Sequence, residues 1–124
     1  MTKVREIYVC SVCGNTVEVI AAGGGTLVCC GQPMNLQAEN TQDASREKHV
    51  PVATRQEGKV HVVVGSVAHP MEANHYIEWI EFIQGNHVCR RQLHPGEAPE
   101  AVFCATDEPF TVRAFCNLHG LWSA

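Results

Sequence analysis

The chain has 124 residues, 45% of them apolar and 18% charged, with a formal net charge of −4. That length allows one ordinary domain or two very small ones, and the composition is that of a folded chain. No run of Lys or Arg suggests a nucleic-acid footprint, and no apolar stretch approaches the roughly 20 residues of a bilayer span. The N-terminus lacks the apolar core of a signal peptide, so the expected compartment is the cytoplasm, with neither membrane nor nucleic acid as partner.

Taken in chain order, residues 1–36 hold four of the seven Cys, a Gly23-Gly24-Gly25 turn and few bulky core residues. A segment this short cannot bury enough apolar surface to fold unaided, and below about 40 residues a metal, disulfides or oligomerisation is usually needed. The polar stretch 37–46 reads as a linker. From residue 47 to 124 the signals are mostly those of strands. Val60-His61-Val62-Val63-Val64 is β-branched, and Phe110 to Cys116 alternates with period two. Tyr76 to Ile83 is rich in aromatic and β-branched residues, but Glu78 and Glu81 break the alternation, so period alone leaves helix open there. Gln84-Gly85-Asn86 before His87-Val88-Cys89 predicts a hairpin. Several short strands separated by turns predict a small β-sandwich.

Seven Cys and seven His are many for this length. The odd Cys count, the missing export signal and the interleaved His favour metal ligands over disulfides. Cys10-Ser11-Val12-Cys13 is a two-residue-spaced pair followed by turn residues, and Cys29-Cys30 supplies a second pair before Gly31. Four thiolates in residues 10–30 suit a tetrahedral zinc or iron site. Neighbouring side chains in an extended chain point apart, so bringing both Cys29 and Cys30 to one ion forces a turn and a distorted tetrahedron. A closed four-thiolate site leaves no room for substrate, so its role is structural or electron-transferring.

In the second segment only Cys116-Asn117-Leu118-His119 has ligand spacing by itself. His49, His69 and His75 carry no such signal singly, and His61, His87 and His94 match no motif. Cys89 and Cys104 lie in strand-like runs and are expected as small buried apolar residues. Trp79 and Trp122 are expected in the core.

Five motifs change the weight of those residues. They are Cys10-x-x-Cys13, Cys29-Cys30-Gly31-x-Pro33-Met34, Glu47-Lys48-His49-Val50-Pro51, Gly65-Ser66-Val67-x-His69-Pro70-Met71 followed by His75-x-Ile77-Glu78-Trp79-Ile80, and Cys116-Asn117-Leu118-His119-Gly120. With them the sequence resembles the desulfoferrodoxins, two-iron superoxide reductases, over essentially its whole length. The resemblance implies a mainly β protein: a desulforedoxin-like (rubredoxin-like) domain over 1–36, a linker over 37–46, and an immunoglobulin-like β-sandwich over 47–124. It implies two irons per chain, one on Cys10, Cys13, Cys29 and Cys30. The other has four His in a plane (His49, His69, His75 and His119) and Cys116 as axial ligand. The sixth position is open for superoxide. The resemblance further implies a homodimer, a rubredoxin-like electron donor, a carboxylate ligand of the resting state at Glu47, and a role for Lys48 in drawing in the anion.

The chemistry agrees with that ligand set. Five protein ligands exceed the four that zinc normally accepts. A thiolate opposite the open position pushes electron density onto the metal, as in haem-thiolate enzymes. The net charge repels an anionic substrate, so a local cation such as Lys48 is needed to counter it. Two other readings use the same residues: a non-catalytic iron electron-transfer module, and a zinc protein with a structural Cys site and a hydrolytic His/Cys site. Reactivity with superoxide separates the first from the reductase, and metal identity separates the second.

Overall fold

A computed structural model describes residues 2–43 and 48–124. Among these every regular element is a strand: β1 Ile7–Val9, β2 Thr16–Glu18, β3 Val28–Cys29, β4 Gln32–Pro33, β5 Asn35–Leu36, β6 Glu39–Asn40, β7 Pro51–Gln56, β8 Lys59–Val64, β9 Ile77–Gln84, β10 His87–Gln92, β11 Glu100–Cys104, β12 Thr111–Cys116 and β13 Gly120–Ser123. The chain divides into two compact units, Met1–Ala38 and Glu39–Ala124.

The first unit is a three-stranded sheet in the order β2-β1-β5 plus the hairpin β3-β4. Its apolar interior is thin. Ile7, Cys10 and Val19 are its only buried apolar residues among those described, while Val12, Ile20, Val28 and Leu36 are exposed. Such a unit has little hydrophobic burial to offset the entropy of ordering its backbone.

The second unit is a β-sandwich. Sheet β10-β9-β12-β13-β6 faces sheet β11-β8-β7, and all pairings are antiparallel except β13 with β6. The core forms where the inward-facing halves of the strands meet: Val60, Val62 and Val64 of β8, Ala101 and Phe103 of β11, Ile80 and Phe82 of β9, and Val112, Ala114 and Cys116 of β12. Phe82 stacks on Phe103 with ring centroids 5.5 Å apart. The predicted strands at 60–64 and 110–116 and the hairpin at Gly85-Asn86 are all present.

Three expectations change. The run 76–83, where period leaves helix open, falls almost wholly in the strand β9, Ile77–Gln84. Its alternation is lost because it is buried on both faces, and Glu81 lies in register between Arg113 of β12 and Arg90 of β10. Fully buried, Glu81 accepts hydrogen bonds from Arg113 Nε at 2.9 Å and Nη2 at 2.5 Å, and from Arg90 Nη2 at 2.5 Å. A buried carboxylate is tolerated only with such partners. Cys104 is exposed, not buried. In β11 it shares the outward side with Glu100 and Val102 while Ala101 and Phe103 point inward. Cys89 is half-buried against the core. Finally, Glu39–Asn40, within the stretch read as linker, forms the edge strand β6, with Leu121 opposite Glu39 and Trp122 opposite Asn40. Polar composition hid it because an edge strand needs backbone pairing but no apolar side chains.

Candidate metal centres

In the first unit two turns deliver the four thiols. The Cys10–Cys13 knuckle is closed by Gly14, whose N–H donates to the Cys10 carbonyl at 2.9 Å and whose φ of +80° suits glycine. The β3–β4 hairpin has a two-residue loop, Cys30-Gly31, with φ of +53° and +75°. Positive φ at both loop positions is the type I′ pattern, where Asn or Gly is the usual first residue. A cysteine there is held against its backbone preference, and the turn swings the Cys30 sulfur to the same side as that of Cys29. The two sulfurs are 4.0 Å apart, and Cys13 Sγ lies 3.6 Å from Cys29 Sγ. A tetrahedral ion with bonds of about 2.3 Å needs sulfur–sulfur separations of about 3.8 Å. All four sulfurs lie within 4.8 Å of one another, so the residues present fit a metal, with the unequal edges expected of adjacent cysteines.

The protons of this cluster are unevenly held. Backbone N–H groups of Cys13 and Val12 pull the Cys10 thiol down to about 6, and the neighbouring thiols of Cys13 and Cys10 push Cys30 up to about 12. One thiolate thus forms readily, and placing negative charge on all four sulfurs requires a cation among them.

In the second unit the donors gather at one end of the sandwich. His49 precedes β7, His69 and His75 lie in the β8–β9 connection, and Cys116 and His119 flank the β12–β13 turn. The four imidazoles close a ring in the order His49, His69, His75, His119. Successive centroids are 4.6, 4.9, 5.2 and 4.9 Å apart, and neighbouring planes are inclined by 60 to 84°. A square of such edges puts each centroid about 3.5 Å from its middle. That is close to a metal–nitrogen bond of about 2.1 Å plus the radius of the ring. Donor atoms of His49, His75, Cys116 and His119 all lie within 4.8 Å of one another, and His69 completes the ring against His49 and His75. His119 turns Nδ1 inward, 3.2 Å from His49 Nε2 and 3.7 Å from Cys116 Sγ. Cys116 is fully buried close to the ring, whereas His119 is exposed and His75 half-buried.

Two of the rings are oriented by a neighbour. His69 Nδ1 lies 2.8 Å from the Pro70 carbonyl, which fixes the tautomer that leaves Nε2 for a metal. His49 stacks on Trp122 at 4.5 Å and 14°, and Trp122 Nε1 donates to the His119 carbonyl at 3.2 Å. Asp43 Oδ1 accepts the N–H of His49 and, at 2.9 Å, that of Val50. Gly65 is needed for close approach: a Cβ there would stand 2.6 Å from the carbonyl carbon of Lys48.

A family model described as desulfoferrodoxin matches residues 41–124, and one for the desulfoferrodoxin N-terminal domain matches residues 2–37. The chain belongs to the desulfoferrodoxin family. A desulfoferrodoxin homolog of Archaeoglobus fulgidus is 56% identical over 100% of this chain and 99% of its own length. The desulfoferrodoxin of Nitratidesulfovibrio vulgaris is 54% identical over 100% and 98%. Among solved structures, the superoxide reductase from Treponema pallidum superposes with a TM-score of 0.81 at 31% identity, covering 96% of each chain.

For this desulfoferrodoxin chain the structure brings together the nine residues named from the sequence, four Cys in one cluster and four His with Cys116 in the other. Lys48 is half-buried and adjoins His49, while Glu47 lies outside the described residues. Sequence reasoning missed Asp43 and Trp122 as supports. Trp122 is buried as expected, but one face of it stacks on His49. Gly65 and Asn117 lay inside quoted motifs, yet what they touch could be found only in three dimensions.

Proposed function

We propose that this chain is a superoxide reductase, which converts superoxide, one electron and two protons into hydrogen peroxide at the centre of His49, His69, His75, His119 and Cys116. The observation that carries the reading is the ring of four imidazoles with a fully buried thiol within reach of it. Four neutral nitrogens and one thiolate suit iron better than zinc, which is satisfied by four ligands. His49, His69, His75, His119 and Cys116 would hold the iron, which would supply the single electron.

The chain's own residues do the remaining work. Cys116, shielded from water, would donate electron density to the iron. The carbonyl of Pro70 and the ring of Trp122 hold His69 and His49 in orientation. Lys48 gathers a small anion that the net charge of −4 would otherwise turn away. Glu47 enters after turnover and helps to displace the product.

Cys10, Cys13, Cys29 and Cys30 hold a second iron that carries electrons within a domain spanning 1–36, and residues 47–124 belong to the catalytic domain. The donor is a rubredoxin-like protein and the compartment is the cytoplasm. The chain works as a homodimer, a reading supported by the exposure of Val12, Ile20 and Val28 on so small a unit.

The test is metal analysis of the purified chain followed by rapid mixing with superoxide. Two irons per chain, with peroxide formed stoichiometrically and no dioxygen released, is the expected result. Zinc in the second site, or a ferrous centre inert to superoxide, would overturn the reading.

A further inference from the structure

Asn117 stands in the turn between Cys116 and His119, and its side chain is exposed. An exposed polar residue in a tight turn ordinarily faces water. This one is engaged on both ends. Its Oδ1 accepts the backbone N–H of Tyr76 at 2.9 Å, and its Nδ2 donates to the carbonyl of Asn74 at 3.1 Å. Its own backbone N–H donates to the Tyr76 carbonyl at 3.2 Å. Asn74 and Tyr76 are the two chain neighbours of His75. The contacts therefore bracket one imidazole and join it to the turn that carries two others of the five donors.

His75 needs this support more than His49, His69 or Cys116 do. His49 and His69 are buried, and Cys116 sits at the end of a core strand. His75 is half-buried in the long β8–β9 connection, where a reciprocal pair of backbone bonds with Glu72, at 2.9 and 3.1 Å, closes a local turn. That pair shapes the loop within itself but does not attach it to the rest of the site.

We infer that Asn117 is a positioning residue, a latch that docks the His75 loop onto the Cys116–His119 turn and so assembles the donor ring before the metal enters. The inference rests on the ligand assignment above and adds to it a device for retaining the ion. Outer-shell hydrogen bonds of this kind are typically worth 10–100-fold in metal affinity. Because the side chain is exposed, removing it costs little core packing, so the effect should be local.

The four-cysteine cluster of the same chain serves as an internal reference. Iron-loaded full-length protein is challenged with a chelator, and metal loss from each site is followed by its own thiolate charge-transfer band. Asn117→Ala should lose metal from the His/Cys centre at least about tenfold faster than wild type, with the four-cysteine site unchanged. Its ferric EPR rhombicity should also shift, because His75 is free to tilt. Asn117→Asp keeps the acceptor for Tyr76 but sets a carboxylate oxygen against the Asn74 carbonyl, so it too should lose metal faster. Loss at the wild-type rate with an unaltered EPR signal, or equal acceleration at both sites, would overturn the latch. A wild-type chain that holds no metal at its second centre would instead overturn the ligand assignment, and the latch with it.

Discussion

The two metal centres are built by opposite strategies. Ligands of the four-cysteine site fall within residues 10–30, on a knuckle and a hairpin turn, in a unit with three buried apolar residues among those described. Those of the His/Cys site are spread from residue 49 to residue 119 and converge because a packed sandwich brings strand ends together. In the first case the ion must organise the chain, and in the second the chain organises the place for the ion. Local sequence therefore encodes the first site almost completely. The second exists only once the fold does.

The largest test of this contrast is metal removal. Stripping both ions with chelator should abolish amide-exchange protection across the unit Met1–Ala38 while β8, β9 and β12 keep theirs. The expected loss for the small unit is on the order of 10 kcal/mol, the scale of structural metal sites in small domains. Surviving protection in β1 and β5 of the stripped chain would show that its thin core suffices. The converse test is Phe82→Ala, which removes a fully buried ring that stacks on Phe103 and meets Phe110 at a tilt. Denaturant unfolding of the sandwich should lose about 3–5 kcal/mol, with chelator resistance of the four-cysteine site unchanged. A parallel weakening of that site would mean the two units do not stand apart energetically. Smallest is Lys48→Ala. Superoxide should react about tenfold more slowly at low ionic strength, and the difference should shrink as salt is added. Matching rates at low salt would remove Lys48 from the steering role.

That contrast also explains what could be read in advance. Cys10, Cys13, Cys29 and Cys30 were legible from spacing, and the turn needed by Cys29-Cys30 follows from side-chain alternation. His49, His69 and His75 were legible only through motifs, because no local spacing relates residues that meet through long-range pairing. Side-chain direction within strands was harder. Cys104 looked buried because its run is apolar, yet the β11 alternation turns it to solvent. Glu81 broke the alternation of its run, yet it is buried between two guanidinium groups two strands apart. The supports of the metal centre were least legible, since Asp43, Gly65, Asn117 and Trp122 act through contacts that no pattern along the chain announces.

The row Arg90–Glu81–Arg113 has a consequence for how the sheet assembles. Glu81 meets an arginine on each side only if β10, β9 and β12 are aligned as they are. A slip of β9 by one residue turns its side chains over, carrying Glu81 toward Phe103 and leaving two arginines behind. An ionised carboxylate among aromatic rings is far costlier than a misplaced methyl group. The three charges thus act as a proofreader of strand pairing. By rejecting misaligned sheets, they keep Cys116, at the end of β12, close to the imidazoles gathered there.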